Sequence, residues 1–224
     1  MSEPSPALDP APDSGAVPAE ELAARLAAKL CHDFISPAGA IVSGLDLLDD
    51  PSAKDMREEA MELIASSARK LVDHLSFARV AFGSAAGSDS FDSAELEKLT
   101  RGVFAHVRAE LDWAVAPQSL PKSAARVLVN LASLAAGVLP LGGVARAELS
   151  EANGAYLIAI RAQGPRARLQ AELEDGLAGR PLGEGLGGRW VQAYYAYAIA
   201  KAAGGRISAE AGEDLVTLSA VVAA

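Results

Sequence analysis

Apolar residues recur at steps of three and four along the first third of the chain, which is the spacing of one face of an α-helix. The pattern predicts a first helix over residues 19 to about 48 and a second helix that runs to about residue 82. The segment 49–52 reads DDPS and predicts a helix break, with Ser52 as the N-cap of the second helix and Asp55 completing a capping box. Because the connection is short, the two helices are predicted to form an antiparallel hairpin.

One histidine lies on the polar side of the first helix. The apolar stripe of that helix consists of Leu30, Phe34, Ala38, Ile41, Leu45 and Leu48. On a helical wheel, His32 lies about 160° from the centre of this stripe, so its imidazole is predicted to face solvent or a partner. A neutral imidazole in that position is a nucleophile. Pro37 is predicted to bend the helix one turn later, because its ring removes a backbone hydrogen bond and crowds the carbonyl of Asp33.

The helix face that carries this histidine is otherwise polar or made of small residues. Its members recur at steps of three and four: Arg25, Lys29, His32, Ser36, Gly39, Ser43 and Asp46. Small side chains let a second protein approach the helix backbone closely beside the imidazole. We therefore predict that this face binds a protein partner, and an ordinary solvated helix face is the alternative interpretation.

A single two-helix hairpin would leave much of its apolar surface in water. The second helix has its own stripe near heptad spacing: Met56, Ala60, Leu63, Ile64, Leu71, Leu75, Ala78 and Phe82. Pairing two hairpins into a four-helix bundle would bury both stripes, at about 1.5–3 kcal/mol for each large side chain. The sequence therefore predicts a homodimer.

Composition divides the chain into four segments. Residues 1–18 are rich in Pro, Ala, Ser and acidic residues, lack the features of a signal peptide, and are predicted to be a disordered tail. Residues 19–82 form the hairpin, 83–91 a Gly- and Ser-rich linker, and 92–224 a second domain.

The second domain alternates helical and strand patterns, which predicts an α+β sandwich. Helices are predicted over about 92–109, 121–138 and 189–203. Strands are predicted near 111–115, 144–149, 155–161, 206–210 and 215–222, with an irregular Gly-rich region before the last helix.

The net charge and the cysteine content limit the kinds of binding partner and the cellular compartment that fit this chain. The net charge of −9 argues against nucleic acid or anionic lipid, whose phosphates require a basic surface. Cys31 is the only cysteine, so an internal disulfide is impossible and a cytoplasmic location fits best. The uncharged stretch 127–145 contains Asn130, Ser133 and Pro140, which favours a buried helix and a turn over a membrane span.

The segment 32–37 reads HDFISP, a histidine followed by an acidic residue, an apolar residue and a proline three positions on. On the first helix of an antiparallel hairpin, this box resembles the phosphoacceptor box of dimeric two-component histidine kinases. The stretch 30–52 also resembles the ChpT-type histidine phosphotransferases of bacterial cell-cycle phosphorelays. The element order of the second domain is similar to that of the ATP-binding domain of histidine kinases.

The resemblance implies a histidine phosphotransferase that relays a phosphoryl group between receiver-domain aspartates. His32 would be the phosphoacceptor, and Asp33 would accept or orient the other ring proton. The implied partners are the receiver domains of a hybrid kinase and of response regulators, and the receiver would supply the magnesium. The alternatives are an ATP-dependent histidine kinase and a non-catalytic dimer that binds receivers.

Most of the residues that bind ATP in the histidine kinases that this chain resembles are absent from its sequence. Leu134 stands where the kinases have an asparagine that binds magnesium, and Ala162 stands where they have the aspartate that reads adenine. Arg166 replaces a glycine, and only the glycines at 183, 185 and 187 remain. We therefore predict no ATP, no cofactor and no metal bound by this chain itself. Arg166 and Arg168 are predicted to contact an acidic partner instead, with ordinary surface charge as the alternative.

The two other histidines are assigned lesser roles. His74 lies on the flank of the second helix's apolar stripe, which favours packing over chemistry. His106 is predicted to lie on a surface helix with no specific role.

Overall fold

The computed structural model describes residues 16–83, 89–182 and 187–224. The predicted tail therefore lies almost entirely outside the described residues, as do most of the predicted linker and two of the three remaining glycines, Gly183 and Gly185.

Two long helices form the antiparallel hairpin that the apolar periodicity predicts. Helix α1 spans Ala19–Asp49 and continues through Pro37, and helix α2 spans Arg57–Ala81. The buried residues of α1 are Pro37 and Gly44. A Cβ at Gly44 would lie 2.6 Å from a side-chain carbon of Ile64. The glycine therefore allows the two helices to approach closely.

The turn between the two helices differs from the prediction. The Asp50 carboxylate accepts hydrogen bonds from the backbone N–H and the hydroxyl of Ser52, at 2.8 and 2.7 Å. A one-turn 3-10 helix, Lys54–Met56, then precedes α2. The predicted Ser52 N-cap and the capping box with Asp55 are therefore wrong, because Ser52 is held in a local turn by Asp50 and none of the described side chains caps α2.

The other residues that the structure describes form a five-stranded mixed sheet, a pair of short strands and four further helices. The sheet order is β2-β4-β5-β7-β6, with β2 parallel to β4 and the other neighbours antiparallel. The strands of this sheet are β2 (Ala109–Val115), β4 (Gly143–Ala152), β5 (Ala155–Gln163), β6 (Arg206–Gly212) and β7 (Leu215–Ala223). The short strands β1 (Ser90–Asp92) and β3 (Ser119–Pro121) pair separately. The helices are α3 (Ser93–Phe104), α4 (Lys122–Gly137), α5 (Ala171–Leu177) and α6 (Gly188–Ala202).

The predicted α+β fold is confirmed, with small differences. Helix α3 ends at Phe104, about five residues earlier than predicted, because the following residues enter β2. Strands β1 and β3 and helix α5 were not predicted, since elements of three to seven residues are too short to show a hydrophobic period. The β4–β5 turn is Asn153-Gly154, both at positive φ, as a two-residue hairpin turn requires.

The hairpin packs against the second unit at one of its ends. Phe77, Val80 and Ala81 near the end of α2 belong to the same buried cluster as α4 and the sheet. The start of α1 packs on α6, where the Tyr194 hydroxyl accepts a hydrogen bond from the backbone N–H of Val17 at 2.9 Å. The residues of α1 near the histidine therefore lie beside α6. Among the described residues, no helix is long and apolar enough to cross a bilayer.

Candidate functional site

His32 projects from α1 with 87% of its side chain exposed, as the wheel predicts. Its Nδ1 lies 3.5 Å from Oδ1 of Asp33, an electrostatic contact rather than a hydrogen bond. A carboxylate on this side of the ring favours the tautomer that carries its proton on Nδ1. The Nε2 lone pair is then free to attack an electrophile.

A lysine one turn earlier holds the carboxylate of Asp33. Nζ of Lys29 donates a hydrogen bond to Oδ2 of Asp33 at 2.5 Å, and both side chains are half-buried. One carboxylate oxygen therefore faces the lysine and the other faces the imidazole. This contact fixes the position of Asp33 without occupying the oxygen that lies near Nδ1.

The predicted exposure of the polar stripe is correct from His32 onward but not for Arg25 and Lys29. Ser36, Gly39, Ser43 and Asp46 are exposed, and a Cβ at Gly39 would meet no atom of the described residues within 4 Å. Lys29 instead lies against Asp33, while Arg25 pairs with Glu21 at 2.8 Å and its guanidinium carbon lies 5.5 Å from the Trp190 ring centre. These two residues are half-buried because α6 covers this part of α1, which a helical wheel does not show.

A cleft of about 790 Å³ opens beside the imidazole between α1, α5 and α6. Lys29, His32 and Asp33 line it from α1, Glu172 from α5, and Arg189 from α6. Sequence reasoning missed Arg189 as a site residue. The available signal was its place at the start of the helix that follows the glycine-rich segment.

A smaller cavity of about 170 Å³ lies on the inner side of Asp33. His74 lines it and is half-buried, and this burial lowers the pKa of His74 below its ordinary value. The ring of His74 lies 6.0 Å from that of His106. Nε2 of His106 is hydrogen-bonded to the carboxylate of Asp73 at 2.8 Å, so the prediction of no specific role for His106 is wrong. It ties the end of α3 to α2.

Leu134 and Ala162, which the resemblance aligns with nucleotide-binding positions of kinases, are buried, and so is Asn130, one turn before Leu134 on α4. The side-chain amide of Asn130 donates to the carbonyls of Ala81 and Arg126, at 3.2 and 2.9 Å, and its oxygen accepts from Gln192 at 3.2 Å. Leu134 and Ala162 belong to the main hydrophobic core. Asn130 thus joins α2, α4 and α6, and the other two positions present hydrocarbon.

Arg166 and Arg168 lie on the exposed loop after β5, outside the cleft beside His32. Arg166 is at φ 58, and its backbone N–H donates to Oδ1 of Asp214 at 2.7 Å. The backbone N–H of Arg168 donates to the carbonyl of Val138 at 3.2 Å. Neither guanidinium forms an ion pair with a carboxylate in the described parts of the chain.

Residues 93–215 match the model of the histidine phosphotransferase C-terminal domain family. Because this match covers more than half of the chain, the chain belongs to the histidine phosphotransferase family, as the resemblance predicts. Protein phosphotransferase ChpT of Brucella abortus (strain 2308) is 34% identical over 200 residues, which are 88% of this chain and 93% of that protein. A bacterial phosphotransferase solved at 1.7 Å is 32% identical, with a TM-score of 0.81 over 91% of this chain and 97% of that one.

Proposed function

We propose that this protein relays a phosphoryl group between the aspartates of receiver domains, with His32 as the carrier. The observation that carries the proposal is the exposed imidazole beside Asp33 in a chain of the histidine phosphotransferase family. Nε2 attacks the phosphorus of an aspartyl phosphate in line, so that a P–N bond forms while the P–O bond breaks and its electron pair leaves on the aspartate carboxylate. Attack by a second receiver's aspartate reverses these changes.

Asp33 orients the ring and stabilises positive charge on it during transfer. As the phosphoryl group bonds to Nε2, the imidazole becomes more positive, and a carboxylate 3.5 Å from Nδ1 lowers the energy of that state. Lys29 keeps Asp33 in place and is therefore a positioning residue. Magnesium is supplied by the acidic phosphorylation pocket of the receiver.

The receiver domains are proposed to bind two surfaces of the chain, of which the first is the exposed face of α1. The exposed residues Ser36, Gly39, Ser43 and Asp46 extend along α1 beyond the imidazole and leave room for a helix or loop of a receiver. Such receivers belong to a hybrid kinase and to response regulators in the cytoplasm, where the exposed thiol of Cys31 would stay reduced.

The two loop arginines form the second surface. Arg166 and Arg168 carry positive charge without an ion-pair partner among the described residues, in a chain of net charge −9. We expect the double substitution R166E/R168E to weaken receiver binding and to slow phosphotransfer about tenfold at low salt. The loss should shrink as salt rises, because such attraction is screened over about 10 Å at 0.1 M.

Binding titrations and transfer rates at two ionic strengths check this expectation. The double variant R57E/R206E is the control, because it changes the net charge equally at exposed positions elsewhere. If the two double variants behave alike, recognition is confined to α1.

The chain is proposed to transfer phosphate without using ATP. With labelled ATP and magnesium it should stay unlabelled, whereas a labelled phosphorylated receiver should label it within the same assay. Self-labelling from ATP would support the kinase alternative. Tight receiver binding without any label would support the non-catalytic one.

Nucleotide binding has its own test. Because Leu134 and Ala162 present hydrocarbon where kinases bind magnesium and adenine, we expect millimolar ATP and magnesium to leave the melting temperature unchanged. A ligand at a hundred times its Kd would add about 2.7 kcal/mol to the free energy of unfolding, a visible shift. Differential scanning fluorimetry with and without the nucleotide measures it, and a rise of several degrees would contradict the proposal.

The active form is proposed to be a homodimer through a four-helix bundle. Large apolar side chains remain exposed on the hairpin in one chain: Ile35, Val42, Leu45, Met56, Met61, Leu63, Val72 and Leu75. Such a concentration on one pair of helices is typical of a surface that a second hairpin covers.

A further inference from the structure

One cation of the cleft beside His32 has no carboxylate partner among the residues that the structure describes. Arg189 lines this cleft from the first turn of α6 and is exposed. It forms no ion pair within the described parts of the chain. A Cβ added at Gly137 would lie 3.7 Å from its Nε, so the side chain of Arg189 passes α4 at a residue that has no side chain of its own.

The other cations of the cleft are already paired. Both Nε and Nη2 of Arg25 donate to Glu21, at 2.9 and 2.8 Å. Nζ of Lys29 donates to Asp33. Among the described residues, the charge of the cleft that remains for a visiting anion is therefore that of Arg189, which forms no ion pair with Glu172 although both line the cleft.

The next residue along α6 anchors this arginine relative to α1. Trp190 is buried, and its indole N–H donates to the carbonyl of Arg180 at 2.9 Å. It forms a cluster with Leu22 and Leu26 of α1. Because His32 belongs to the same helix, about two to three turns further on, the backbone of Arg189 is held at a fixed position relative to the backbone of His32.

We propose that Arg189 binds the phosphoryl group while His32 carries or receives it, an inference that rests on the relay proposed above. The phosphoryl oxygens bear close to two negative charges, and a guanidinium offers a planar pair of donors that suits them. Arg189 makes and breaks no covalent bond. It stabilises the charge on the oxygens as the phosphorus passes from the aspartate oxygen to Nε2.

The test compares R189Q and R189K with wild type in single-turnover transfer from a phosphorylated receiver. The exposed site should tolerate both substitutions without loss of fold. We expect R189Q to slow transfer about tenfold to a hundredfold at saturating receiver, with receiver affinity changed less than threefold, and R189K to recover part of the rate. The phosphorylated R189Q protein should also lose its phosphate at a different rate from wild type. R206Q, an exposed arginine on β6, is the control and should transfer at the wild-type rate.

The possible outcomes distinguish a failure of the role proposed for Arg189 from a failure of the phosphoryl relay itself. If wild type takes up phosphate on His32 and R189Q does so equally fast, the role of Arg189 is overturned and the relay stands. An effect confined to receiver affinity also overturns it, since Arg189 would then be a docking residue. If the wild-type protein takes up no phosphate from the receiver, the proposed relay is contradicted, and the role of Arg189 falls with it.

Discussion

Replacing His32 with glutamine is expected to abolish phosphate transfer in both directions and to leave the fold intact. The side chain is 87% exposed, so its replacement removes almost no packing and should change the free energy of unfolding by less than about 0.5 kcal/mol. Glutamine keeps a similar size and polarity but has no nucleophilic nitrogen. Transfer should therefore fall by a factor of at least about 10³, as when an enzyme loses its nucleophile.

Single-turnover assays with a labelled phosphorylated receiver measure this loss, and circular dichroism checks the fold. His74→Gln is the matched control, because His74 is the other histidine on the hairpin and lies half-buried beside the small cavity. H74Q should keep transfer while losing some stability. Transfer that persists in H32Q and disappears in H74Q would move the phosphoacceptor to α2.

Two acidic substitutions on α2 are expected to dissociate the dimer. Val72 and Leu75 are 60% and 47% exposed in one chain, so V72E/L75E should cost little in the monomer. In a four-helix bundle the same positions would bury unpaired carboxylates, at about 1–3 kcal/mol or more each. We therefore expect the dissociation constant to rise by a factor of at least about 10³.

Sedimentation equilibrium at micromolar concentration distinguishes the two states. The control is V107E/V144E, which places the same charges on exposed apolar residues outside the hairpin and should leave the dimer intact. A wild-type protein that sediments as a monomer, or a V72E/L75E variant that remains a dimer, would contradict the bundle.

The spacing of apolar residues along the chain was sufficient to predict the two long helices and the exposure of His32. Both follow from the position of a residue around its own helix, which the sequence specifies directly. It was not sufficient at the α1–α2 turn, where Asp50 competes for the donors of Ser52. Ser52 could either cap the second helix or donate its hydrogen bonds to Asp50. The sequence alone does not show which of these two local interactions forms.

The part of the site that sequence reasoning missed depends on contacts between distant segments. Arg25 and Lys29 were assigned to an exposed face, but α6 comes from more than 150 residues later and covers them. The same packing brings Arg189 to the cleft beside His32. A helical wheel of α1 contains no information on α6, so neither the burial of the first two nor the presence of the third could be predicted.

The chemical nature and position of the transferred phosphate test the relay most directly. Cleavage at lysine and arginine releases the peptide 30–54, which contains His32 as its one histidine. After incubation with a phosphorylated receiver, this peptide should carry one phosphoryl group that is lost in acid and kept in base, and fragmentation should place it on His32. A base-labile phosphate on Asp33, an acid-stable phosphate on Ser36, or a phosphate on another peptide would contradict the relay through His32.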